Sequence, residues 1–139
     1  MSPYCHKVQY YETDKMGITH HSNYIRWMEE ARVSMLSAYG WGYEQMEAAG
    51  IFSPVTGIEC KYKAPTTFAD EVEICADVAE YKGVHLVVSY TMRRLSDGKV
   101  VLEGLSRHCF VDADGKFIRL ANQHPQLDEL LRRLSQQER

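Results

Sequence analysis

The run Tyr10-Tyr11-Glu12-Thr13-Asp14-Lys15-Met16-Gly17-Ile18-Thr19-His20-His21-Ser22-Asn23-Tyr24 packs an acid, two histidines and a glycine into a polar turn ahead of a helix. A carboxylate suits that place, because the N-terminal end of a helix carries partial positive charge. The same helix start presents backbone N–H groups that can hold an oxyanion developing on a carbonyl substrate. Gly17 lets the chain bend and lets a ligand approach the backbone. In this setting Asp14 can attack a carbonyl, or act as base toward a water, while His21 orients it or the substrate. Plainer readings stand beside this one: Asp14 as a turn or cap residue, and His20 and His21 as polar loop residues. Asp14, His20, His21 and His6 are also metal-ligand types, although adjacent histidines rarely aim at one ion. The strand reading of Tyr10 is as good as any functional one.

The elements around this segment follow from periodicity. Tyr4 to Tyr11 is β-prone and predicts a first strand. Ser22 or Asn23 can cap a helix over Asn23–Tyr39, in which Tyr24, Trp27, Met28, Ala31 and Met35 form one apolar stripe. Glu29, Glu30 and Arg32 fall away from that stripe, which gives the two glutamates a surface or interface role. Gly40 and Gly42 end the helix, and a helical turn over Tyr43 to Ala49 precedes Gly50. The period then becomes two. Ile58, Cys60 and Tyr62 alternate with charged residues within Ile51 to Lys63, which Pro65 ends. Val72 to Val78 and Leu86 to Met92 repeat the pattern. Asp97-Gly98 signals a hairpin into a strand over Lys99 to Val111, and Asp114-Gly115 a second turn into a short strand through Leu120. Pro125 opens a closing helix with Leu127, Leu130, Leu131 and Leu134 on one face. One striped helix with a consecutive meander predicts an α+β fold, a sheet covering the helix, in a single domain spanning 1–139.

Composition narrows the partners. The chain has 139 residues and a formal net charge of −3. With no basic run, neither nucleic acid nor an anionic membrane is an expected partner. No stretch of about 18 apolar residues occurs, and the N-terminus lacks an apolar signal core. Cys5, Cys60, Cys75 and Cys109 are irregularly spaced, which reads as reduced, mostly buried thiols. The expected setting is the cytoplasm.

The run Tyr11-Glu12-Thr13-Asp14-x-x-Gly17-x-x-x-His21-x-Asn23-Tyr24, continuing into Trp27, Glu29, Ala31 and Arg32, resembles the hotdog-fold thioesterases of the 4-hydroxybenzoyl-CoA type. Tyr62-x-x-Pro65-x-x-Phe68-x-Asp70 is similar to that family's segment between its central strands. Asp97-Gly98 through Glu103-Gly104, and Asp114-Gly115 through Leu120, fall in the expected order. The resemblance implies a hotdog fold, an antiparallel sheet wrapped around one long central helix, in a homodimer or homotetramer with each active site built from both chains. It implies hydrolysis of a small or medium acyl-CoA thioester, with no metal or redox cofactor.

Carried over by position, Asp14 matches the catalytic carboxylate, and His21 a residue whose backbone N–H, and in one branch its side chain, serves the thioester. Tyr10 stands where that branch often has a helpful tyrosine. Gly17 matches the turn glycine. Asn23 and Tyr24 match residues that fix the helix, with Tyr24 also a candidate for substrate binding. Lys82, in Tyr81-Lys82-Gly83, stands where relatives place basic residues against the nucleotide, with Lys61, Lys63, Arg93, Arg107 and Arg119 as further cations for coenzyme A phosphates. Lys15-Met16 replaces the small residues common before the glycine, and His20 replaces an aromatic, so the acyl preference is open. The rival readings are a non-catalytic acyl-CoA binder, against which Asp14 and His21 both argue, and a hotdog dehydratase, whose Asp/His pair after a long central segment is absent from the sequence.

Overall fold

The computed structural model describes residues 3–137. Among them, five strands form one antiparallel sheet: β1 (Tyr4–Lys7), β2 (Val55–Tyr62), β3 (Glu71–Tyr81), β4 (His85–Arg94) and β5 (Val100–Cys109), in the order β1-β3-β4-β5-β2. The helices are α1 (Ser22–Ala38), α2 (Tyr43–Ala48), α3 (Leu120–Gln123) and α4 (Pro125–Ser135). No helix among the described residues is long and apolar enough to cross a membrane. Two compact units divide the chain, and each takes part of β2, β3, β4 and β5.

The first unit runs up to Met35 and adds Cys60–Ala76 and Tyr90–Gly104. Here β1 pairs with β3, Tyr4 opposite Ile74 and Lys7 opposite Glu71. β1 is shorter than its β-prone sequence predicts. After Lys7 the chain turns into a 3-10 helix, Tyr10–Glu12, because the Glu12 carboxylate accepts the Gln9 backbone N–H at 2.8 Å and folds the segment back. Helix α1 buries the predicted stripe: Trp27 is fully buried, and Tyr24, Met28, Ala31 and Met35 nearly so. That face meets β2, with Cys60 Sγ 3.8 Å from Met28 Sδ, and beside it the Arg32 guanidinium donates to the Tyr90 hydroxyl of β4 at 3.4 Å. Glu29 and Glu30 are exposed, as their spacing requires.

The second unit comprises Leu36–Glu59, Asp77–Ser89 and the chain from Leu105 onward. Its closing helix α4 begins at Pro125 and buries Leu127, Leu130, Leu131 and Leu134. The helix is also pinned by a buried carboxylate. The Tyr81 hydroxyl donates to Asp128 Oδ1, Arg132 Nε donates to Asp128 Oδ2 at 3.0 Å, and the guanidinium lies 5.3 Å from the centre of the Tyr81 ring. Burial, with the Asp128 carboxylate alongside, pushes the Tyr81 phenol well up. Two sequence expectations fail here. The strand predicted after Asp114-Gly115 shrinks to a single bridge, Val111 to Phe117, and the chain enters α3 at Leu120. Of the four cysteines only Cys109 is buried, while Cys60 and Cys75 are half-buried and Cys5 is exposed. The thiols are therefore not mostly buried; Cys5 and Cys60 lie on β1 and β2, the edge strands, where residues find less cover.

Candidate active site

The carboxylate of greatest interest sits in a tight turn of the first unit. Asp14 N–H donates to the Ile18 carbonyl at 2.9 Å, Gly17 N–H donates back to the Asp14 carbonyl at 2.9 Å, and Thr13 bridges Thr19. Gly17 closes the turn at φ +79°, in the left-handed region where a Cβ would strain the backbone. Asp14 Oδ1 accepts the Met16 N–H at 2.8 Å. The turn therefore fixes the half-buried carboxylate through one oxygen, in the Asx geometry common for this residue.

Behind that turn lies Glu12, only 4% exposed. Its Oε1 accepts the Gln9 N–H and stands 2.8 Å from His6 Nε2, while Oε2 accepts the Trp27 indole N–H at 2.8 Å. Its carbonyl accepts the His20 N–H at 2.8 Å and the Asn23 side-chain amide at 2.9 Å. Burial pushes the Glu12 carboxyl up, but the Gln9 backbone N–H, the His6 ring and the Trp27 indole outweigh it and hold the group below the usual carboxylate range. Hydrogen bonds to an ionised group contribute roughly 1.5–3 kcal/mol each. A buried carboxylate so satisfied stabilises the segment.

His20 and His21 differ in their tasks. His20 Nδ1 accepts the Ser22 N–H at 3.2 Å and lies 2.9 Å from Ser22 Oγ, while its carbonyl accepts the Asn23 N–H at 3.0 Å. His20 therefore caps α1, where Ser22 or Asn23 was expected to, and a neutral ring accepting at Nδ1 carries its proton on Nε2. His21 is exposed, its ring stacked on His20 with centroids 4.3 Å apart and facing Tyr62 edge-on at 6.3 Å. The Tyr62 hydroxyl donates to the His21 carbonyl at 3.3 Å. Tyr24 is 3% exposed, and its hydroxyl sits 2.9 Å from Thr66 Oγ1, which in turn is 2.6 Å from Thr19 Oγ1. That chain of hydroxyls ties the far side of the turn to the segment before β3.

Thus the first unit brings Asp14, Gly17, His21 and Tyr24 into one turn-and-helix junction. Tyr10 stands at its edge, with its ring 76% exposed and in edge contact with Phe68 at 5.9 Å. Lys82 belongs to the second unit, in the β3–β4 turn, where its ammonium pairs with Glu80 at 2.9 Å. No group of three or more His, Cys, Asp and Glu among the described residues is arranged to hold a metal. Glu12, Thr66 and the capping role of His20 were not singled out from the sequence. The available signal for Glu12 was indirect: a core tryptophan N–H needs an acceptor, and alternation in β1 points His6 inward with Tyr4.

Comparisons with known proteins identify the family. The thioesterase-like superfamily model matches residues 8–134. YneP of Bacillus subtilis (strain 168) is 33% identical over 108 residues, 78% of each chain. The DHNA-CoA thioesterase from Staphylococcus aureus superposes with a TM-score of 0.90 at 32% identity, covering 95% of this chain and 89% of that one. The gentisyl-coenzyme A thioesterase BH1999 superposes with a TM-score of 0.77 at 26% identity, covering 84% and 93%. The fold is that of a hotdog-like thioesterase. This chain belongs to the thioesterase-like superfamily.

Proposed function

We propose that this protein is an acyl-CoA thioesterase, hydrolysing a small or medium acyl-CoA to the carboxylic acid and free coenzyme A, with Asp14 as the catalytic carboxylate. The observation that carries the reading is the Asp14 turn: a carboxylate held by Met16 N–H at 2.8 Å, closed by a left-handed glycine, one short segment ahead of a helix start. Family membership and the activities of the two superposed thioesterases support the class of reaction. No metal or redox cofactor enters it.

In the general-base route Asp14 takes a proton from water as the water oxygen attacks the thioester carbonyl. The oxyanion forms, the C–S bond breaks, and the sulfur leaves with the proton from Asp14. In the nucleophilic route Asp14 itself attacks, expels the thiolate, and the resulting anhydride is hydrolysed by water. Ser22 and Asn23 N–H groups are already engaged by His20, so we assign the oxyanion to the His21 N–H, with the His21 ring positioning substrate. Gly17 and Tyr24 shape the substrate site through the turn. Tyr10 assists at its edge, and Lys82 serves the coenzyme A phosphates. Exposed Tyr10, Phe68 and Tyr62 offer flat contacts to an acyl group, which favours including aryl thioesters among the substrates tried. We further read the sheet as wrapped around α1 in one hotdog domain, active as a cytoplasmic homodimer or homotetramer.

Thiol release from a panel of alkyl and aryl acyl-CoAs tests the reading. Wild type turns over at least one thioester, and Asp14→Asn, nearly isosteric but uncharged, loses about 100-fold or more in kcat. Binding of acyl-CoA without thiol release across the panel makes the protein a non-catalytic binder instead.

A further inference from the structure

Glu12 is buried, ionised by its surroundings, and unused by either route above. Its two oxygens are committed in a way that only a carboxylate satisfies. Gln9 N–H reaches Oε1 and the Trp27 indole N–H reaches Oε2, both at 2.8 Å, and both are obligate donors. An amide in place of the carboxylate offers one oxygen and one NH2, so one donor must then face another donor. His6, on β1, also contacts Oε1, and its Nδ1 lies 3.8 Å from Glu30 on α1, which accepts the Tyr4 hydroxyl at 2.8 Å. The main chain of the same residue holds the opposite end of the turn, through the His20 N–H and the Asn23 amide. One residue therefore joins β1, α1 and both ends of the segment carrying Asp14, which lies two residues further on.

We propose that Glu12 is a positioning residue for the thioester chemistry: its buried carboxylate clamps the 3-10 turn to α1 and thereby sets where Asp14 stands. The proposal rests on the reading of Asp14 as the catalytic carboxylate. It does not make Glu12 an acid or base toward substrate, since its oxygens face His6, Gln9 and Trp27 rather than the exposed side of the turn.

The test pairs amide hydrogen exchange with steady-state kinetics on wild type, Glu12→Gln, Trp27→Phe and each variant combined with Asp14→Asn. Glu12→Gln is expected to speed exchange across residues 13–21 while β3, β4 and β5 stay protected. It is expected to lower kcat about tenfold or more with KM within about threefold, the signature of a misplaced catalytic group. In the Asp14→Asn background the same change costs less than about threefold, because little positioned chemistry is left to lose. Trp27→Phe, which keeps Glu12 and removes one donor, moves both readouts the same way by less, and it decides the matter if Glu12→Gln does not fold. Unchanged exchange over residues 13–21, a kcat within about twofold of wild type, or an equal loss in both backgrounds overturns the proposal. If wild type releases no thiol from any thioester, the thioesterase reading falls, and the exchange measurement still decides whether Glu12 holds the turn.

Discussion

Asp14 in its turn and His21 at the start of α1 are held by different means, and that difference predicts how each tolerates substitution. Asp14 is fixed by side-chain and main-chain bonds of the turn itself, whereas the His21 ring is exposed and rests on His20. If the His21 N–H carries the oxyanion, His21→Ala leaves that donor in place. We expect His21→Ala to lower kcat less than about tenfold, well short of the 100-fold or greater loss typical of removing a general base or acid. Stopped-flow thiol release on the best substrate measures it. A loss matching that of Asp14→Asn would assign the imidazole itself to proton transfer.

At the level of elements, the junction between the 3-10 turn and α1 depends on an ionised group, and so on pH. The folded state holds the Glu12 carboxyl below its unfolded value, which is about 4.3. As the pH falls the unfolded chain takes up the proton first. The stability contributed by Glu12 is therefore fully present above about pH 4.3 and is lost as the pH drops through the lower, folded value. Thermal melts from pH 6 down to about pH 3 should show wild type losing Tm more steeply than Glu12→Gln, whose side chain does not titrate. Parallel slopes would mean that other carboxylates dominate the acid limb. Asp97 is one that does not complicate the comparison: its partners, led by Arg94, hold it at about 2, and it is the same in both proteins.

For the molecule as a whole, β2 matters most. It is the outer strand next to β5, eight residues long, and no residue along it is fully buried, with Val55 and Tyr62 nearly half exposed. A long open edge of this kind invites pairing with another chain. We expect light scattering coupled to size exclusion to give two or four times the mass of one chain. A second copy along β2 is the simplest cover for the edge, and a strictly monomeric species with full activity would exclude a site shared between chains.

Much of this protein is legible from local signals. The helical stripe from Tyr24 to Met35, the period-two strands and the Pro125 helix start depend on neighbours in sequence, and the structure reproduces them within one to four residues. The motif from Tyr11 to Tyr24 likewise marked the segment that folds into the turn around Asp14. The sequence could not show where β1 stops, because a buried carboxylate fifteen residues from its tryptophan partner folds the chain back. Nor could it show that His20, rather than Ser22 or Asn23, caps α1, since only the backbone path decides which side chain reaches the free N–H groups. The short β-prone segment before Leu120 failed for a related reason: one bridge to Val111 was all the pairing available, and a strand needs a partner along its length. Sequence determined which residue types could do chemistry and which elements carry them. Tertiary structure decided which distant polar groups are buried against one another, such as Glu12 with Trp27 and Tyr81 with Asp128, because those pairings join positions that no local pattern connects.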